Sequence, residues 1–170
     1  MNQHNIPDYK KNEGIIMNNF QHIHVDDVPQ EHKNDHPDYE FFRRNLRNTE
    51  DGDSMVAHYE IPPGKSAFPY HYHLKNEESY YILSGKGLLK TPEGEKEVCA
   101  GDFLFFPPDE SGAHKLTNIS KTENLVYLDF DTDHDLEVCI YPDTGKIAIW
   151  GKGINKLYKE EQNVGYYDGE

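Results

Sequence analysis

The chain has 170 residues, 35% of them hydrophobic, and carries 17 Lys and Arg against 31 Asp and Glu, a formal charge of -14. That length suits one ordinary domain with polar extensions rather than two independent cores, and the negative charge repels phosphate backbones and anionic lipid surfaces, which argues against nucleic acid and membrane as partners. Cys99 and Cys139 have neither zinc-finger nor disulfide-framework spacing, and no apolar run is long enough for a signal peptide or a bilayer span, so a reducing cytoplasm is the expected compartment.

Residues 1–20 read as a disordered leader, and a start at Met17 fits the sequence as well as one at Met1. Residues 21–50 form a polar lead-in. It has a strand-like alternation at His22–Val25, which puts Ile23 and Val25 on a buried face and leaves His22 and His24 exposed, and a short helix is expected over Asp38–Arg47. From residue 51 to 152 the pattern changes to short runs of β-branched and aromatic residues cut by Gly, Pro and Asn. The predicted strands are Ser54–Ile61, Lys65–His73, Ser79–Leu83, Gly87–Thr91, Glu97–Cys99, Asp102–Phe106, Ala113–Thr117, Asn124–Phe130, Glu137–Tyr141 and Lys146–Trp150. Regular short strands of this kind imply an all-β sandwich or closed barrel. Gly85, Gly87 and Gly101 are read as turn residues, Phe103, Phe105 and Phe106 as barrel core, and Tyr141–Lys146 as a hairpin. Residues 153–170 form an acidic tail expected to pack on the outside.

The chemistry-bearing stretch lies between Gly64 and Asn118. His71 and His73 are two apart, so on a strand their imidazoles leave the same face about 7 Å apart along the chain and can share one ion. A carboxylate at the start of the next strand, Glu77 or Glu78, and His114 from a third strand complete a shell of three imidazoles and one carboxylate. Such a mixed nitrogen and oxygen shell suits one divalent transition metal, Fe, Mn, Ni, Co or Zn, and leaves positions open for a substrate oxygen, water or dioxygen. His22 and His24 repeat the spacing without a following carboxylate and glycine at the required offsets.

These residues resemble the two motifs of the cupin superfamily. The first is matched by Gly64, His71-Tyr-His73, Glu78 after four intervening residues and Gly85 after six more, with Gly64 one residue farther away than the pattern asks. The interval to Gly85 selects Glu78 over Glu77. The second is matched by Gly101, Pro107, His114 and Asn118, with two extra residues between Pro107 and His114 that widen the turn before the third histidine. With Tyr141–Lys146 and the closing Tyr167–Glu170, the chain is most similar to single-domain bacterial cupins. The resemblance implies a jelly-roll β-barrel with a metal in its mouth held by His71, His73, Glu78 and His114, and barrels that pair as homodimers. It implies no one reaction. A dioxygenase-like enzyme acting on a small polar molecule is the leading expectation, with a sugar isomerase or epimerase and a non-catalytic small-molecule sensor as alternatives. Strand alternation also brings Tyr80 to the pocket side, as a hydrogen-bond donor or as ordinary core.

Overall fold

A computed structural model describes residues 20–47, 54–151 and 153–170. Its strands are β1 (Glu31–His36), β2 (Tyr39–Arg47), β3 (Ser54–Ile61), β4 (Tyr72–His73), β5 (Glu78–Ser84), β6 (Lys86–Thr91), β7 (Gly94–Cys99), β8 (Phe103–Phe106), β9 (Lys115–Asn118), β10 (Leu125–Thr132), β11 (Leu136–Tyr141), β12 (Lys146–Gly151) and β13 (Ile154–Lys159). They form three antiparallel sheets in the orders β1-β2-β3-β10-β5-β8, β13-β12-β11-β4 and β7-β6-β9. Among the described residues the only helical pieces are short 3-10 turns. The result is an all-β jelly-roll barrel. No described helix is long and apolar enough to cross a membrane.

Strand alternation builds the core. Tyr59 and Ile61 of β3, Tyr80 and Ile82 of β5, and Leu125 and Tyr127 of β10 turn inward from the large sheet, and they meet Leu89, Val98 and Leu116 of the three-stranded sheet in one cluster. Tyr59 and Tyr127, opposite each other in the β3–β10 ladder, stack with ring centroids 5.1 Å apart.

Five local expectations change. Residues 39–47 are a strand, not a helix: Phe41 and Arg43 are buried, and the segment pairs with β3 from Phe42↔Glu60 to Arg47↔Val56, so period-two burial overrides the helix-compatible composition. Lys65–His73 is strand only at Tyr72–His73, with bridges at Ser66 and His71, because Pro69 breaks a continuous ladder. Phe103 and Phe105 are 63% and 51% exposed, since the period of two on edge strand β8 turns Leu104 and Phe106 inward instead. Gly87 lies within β6 rather than in a turn, and a Cβ there would come 2.7 Å from Leu116 and 2.9 Å from Leu125. In the lead-in, His22 and His24 are exposed, as is Ile23, and Val25 opens a 3-10 turn instead of a strand. The leader expected over residues 1–20 lies outside the described residues except for Phe20, which is exposed.

Candidate metal centre

The widened second motif is where the sequence left most room for displacement, and the backbone resolves it. Residues 110–112 form one 3-10 turn capped by the Asp109 carboxylate, which accepts from the Ser111 amide at 2.8 Å. The turn absorbs the extra residues. His114 then pairs with His71 as an antiparallel bridge, exchanging backbone hydrogen bonds of 3.1 and 2.8 Å. At Gly112 a Cβ would lie 1.9 Å from the Pro107 carbonyl oxygen, so only glycine fits this close approach.

All four expected residues converge. The Nε2 atoms of His114, His73 and His71 lie 3.2, 3.5 and 3.7 Å from Glu78 Oε2. His71, Glu78 and His114 are buried, and His73 is half-buried at the end of β4. Glu77 points elsewhere, exposed, with its amide donating to Thr132 Oγ1. Tyr80 does both things open to it: its hydroxyl donates to Glu78 Oε1 at 2.5 Å, and its ring packs on Phe106 and Tyr127.

The hydrogen bonds orient the imidazoles. Nδ1 of His71 lies 2.9 Å from the Pro69 carbonyl and Nδ1 of His114 lies 2.9 Å from the Gly112 carbonyl. Carbonyls only accept, so each Nδ1 carries the proton and each Nε2 presents a lone pair. Those lone pairs face Glu78 Oε2, which is sealed from solvent and has no hydrogen-bond partner among the described residues. Lone pairs turned on an anion repel one another, and an uncompensated carboxylate oxygen in an apolar site is costly. A cation removes both penalties, so the donor set fits a divalent transition ion, with Nδ1–carbonyl bonds of the kind that fix ligating histidines.

The electrostatics follow from burial and charge. Without an ion, burial pushes the Glu78 pKa upward, but His114 and His71 in their protonated forms outweigh it and hold the carboxyl well below its ordinary range. Burial lowers the His71 pKa, against the opposing pull of Glu78. For His73 burial acts in the same direction, yet Glu137 and Glu78 together keep its pKa above the usual histidine value.

Several residues at the site escaped the sequence reading. Glu137, on β11, approaches His73 Nδ1 at 3.7 Å and accepts from the amides of Leu74, Lys75 and Asn76 at 2.9, 3.2 and 2.8 Å. Asp129 and Asp131 of β10 line the same cavity of about 120 Å³, as do Arg43, Asn45 and Trp150. Burial, chiefly, and the charge of Glu78 raise the pKa of both aspartates well above the ordinary carboxyl value. Their signal was present in the alternation Asp129-Phe-Asp131-Thr-Asp133, which puts every acid on one strand face.

Comparison with known proteins agrees with the fold. A sequence model of the cupin domain matches residues 57–131. A proposed sugar phosphate isomerase from Acidithiobacillus ferrooxidans superposes with a TM-score of 0.70 at 28% identity, over 85% of this chain and 93% of that one. A sugar phosphate isomerase of the cupin superfamily from Silicibacter pomeroyi gives 0.75 over 87% and 98% of the two chains, at 17% identity, a likeness of fold. An uncharacterized protein of Methanocaldococcus jannaschii is 39% identical over 64 residues, 38% of this chain, and the match spans about half (49%) of that relative's length.

Proposed function

We propose that this chain, whose residues 57–131 match the cupin domain, is a cupin whose barrel forms a metal-dependent isomerase site for a small, hydroxyl-rich molecule. The observation that carries the reading is the convergence of three imidazole Nε2 atoms on one buried, unpartnered oxygen of Glu78. His71, His73, Glu78 and His114 hold the ion, which supplies a Lewis acid for a substrate carbonyl or hydroxyl oxygen. Tyr80 fixes the Glu78 carboxylate by its hydroxyl, leaving Oε2 for the ion. Glu137 ties down the backbone joining His73 to Glu78. Asn45, Asn76 and Arg43 give the cavity wall donors and acceptors that match hydroxyl groups.

Isomerisation is preferred to oxidation because the A. ferrooxidans relative, 28% identical over most of both chains, carries that activity in its name. Dioxygen chemistry at iron is the second reading, favoured by a nitrogen and oxygen donor set that suits Fe(II) equally. Elemental analysis of the protein as purified and washed with excess Mg²⁺, beside H71A/H114A, tests the site: about one equivalent of Fe, Mn, Ni, Co or Zn that Mg²⁺ does not displace is expected, and its persistence in the double variant would refute the ligand assignment. The loaded protein is then given a panel of aldose and ketose phosphates, with an oxygen electrode in parallel. Aldose–ketose interconversion without oxygen uptake supports the first reading, and iron-dependent oxygen uptake the second.

A further inference from the structure

Asp129 and Asp131 stand two apart on β10, with Asp129 opposite Tyr80 and Asp131 opposite Glu78 in the β10–β5 ladder. One carboxylate oxygen from each of Glu78, Asp129 and Asp131 lies within 4.8 Å of the others. Asp129 is only 5% exposed. Its Oδ1 and that of Asp131, like Glu78 Oε2, are sealed from solvent and receive no hydrogen bond from any donor group among the described residues; the two aspartates lie close enough to share a proton with each other. All three side chains border the cavity that the histidines line.

A buried carboxylate oxygen with no donor is expensive, and proteins meet that cost with a proton, a cationic side chain or a metal ion. Two cationic side chains border the cavity, the exposed Arg47 and the buried Arg43, whose Nε and Nη2 already bind Glu31 Oε2 at 3.1 and 2.5 Å. The charge of Arg43 reaches Asp129 but no hydrogen bond from it fills the Asp129 Oδ1 position. The histidine-held ion explains the orphaned oxygen of Glu78 and leaves the two aspartate oxygens unexplained.

We propose that Asp129, Asp131 and Glu78 hold a second divalent cation, a hard ion of the Mg²⁺, Mn²⁺ or Ca²⁺ class, beside the ion of the histidine cluster. An all-oxygen donor set selects hard cations, whereas the imidazole set selects first-row transition ions, so the two halves of the pocket differ in kind. Glu78 is the shared residue. The inference rests on the metal-site reading only through that sharing, because the oxygen donors stand without the imidazoles. Mg²⁺ on few carboxylates keeps positions for water and for hydroxyl or phosphate oxygens of a substrate, which suits the sugar phosphates of the assay panel above.

The test counts metal. Full-length protein is stripped with a chelator, dialysed against Mn²⁺, analysed for bound metal, and challenged with excess Mg²⁺. Two equivalents of Mn²⁺ per chain are expected, of which Mg²⁺ displaces one. D129N/D131N, which preserves shape and removes charge, is expected to bind one equivalent that Mg²⁺ leaves in place. H71A/H114A is expected to keep the exchangeable equivalent and lose the other, with circular dichroism confirming that both variants fold. A single equivalent in the wild type, untouched by D129N/D131N, would overturn the second site and leave the aspartates sharing a proton. An exchangeable equivalent lost in D129N/D131N, with nothing lost in H71A/H114A, would instead refute the histidine site and keep this one. No bound metal in any of the proteins would overturn both. The Mg²⁺ competition on the wild type decides the matter even if a variant misfolds.

Discussion

Glu137 is 3% exposed and gathers three backbone amides next to His73. Removing it leaves the buried Asn76 amide and the Lys75 amide without their acceptor, while the Leu74 amide keeps the Val138 carbonyl, so Glu137→Ala is expected to destabilise the fold by about 2 kcal/mol in urea denaturation, with Glu137→Gln costing less. Because the anchored backbone carries one ligand at each end, the Ala variant is also expected to weaken metal binding by roughly 10- to 100-fold in a competitive chelator titration. Asp129 offers the opposite experiment. Burial first, and the charge of Glu78 second, raise its pKa in the folded protein well above the ordinary value, so in metal-free protein the folded state keeps a proton that the unfolded state loses above about pH 4. The folded state then binds more protons, and stability falls as pH rises from there. Asp129→Asn removes that slope, and its melting temperature, measured without metal, is expected to exceed wild type by more at pH 8 than at pH 5. The four cluster residues were legible in the sequence because their type and interval are themselves the chemistry. Glu137 was not, because one acid in a strand carries no mark of the three amides that a distant segment brings to it.

At the scale of the element, the turn at residues 110–112 sets the position of the third histidine. Gly112 abuts the Pro107 carbonyl oxygen, and its own carbonyl accepts from His114 Nδ1. Gly112→Ala must therefore move backbone on one side or the other. The expected outcome is a loss of bound metal larger than the loss of stability, read by elemental analysis beside thermal melting. A sequence comparison shows the extra residues but not that a single 3-10 turn stores them. The strand β2 makes the reverse point: its composition is compatible with helix, and only the waiting edge of β3 decides for strand. Strands such as Ser54–Ile61, whose β-branched and aromatic residues alternate, were predicted to the residue. Phe103 and Phe105 show where that logic slips, since counting aromatics places them in the core and counting by twos places them outside.

For the whole molecule, a ligand that binds only the folded barrel must stabilise all of it. At about 100 times its dissociation constant, an ion contributes about 2.7 kcal/mol, a rise of roughly 5–10 °C in melting temperature for a chain of this size. Chelator-stripped protein with added Mn²⁺ is expected to show that rise, and H71A/H114A a clearly smaller one. The outer face of the large sheet also carries Tyr81, Leu83, Phe103, Phe105 and Phe130, all substantially exposed, on neighbouring strands β5, β8 and β10. Contiguous apolar surface of this kind is the natural contact for the expected pairing of two barrels. Sedimentation of wild type against F103E/F105E checks it, with a dimer for the first and a monomer for the second.

The pairing of β4 with β11 reaches further. His73 sits opposite Cys139, and Glu137 secures the residues just beyond it, so the second histidine is held by a strand that follows every ligand in the chain. During synthesis, His71, His73, Glu78 and His114 all leave the ribosome before β11 exists to receive them. The wall that β11 contributes to the pocket is therefore synthesised only after the whole ligand set. A chain arrested before residue 136 would carry all four donors and still lack the strand that sets His73.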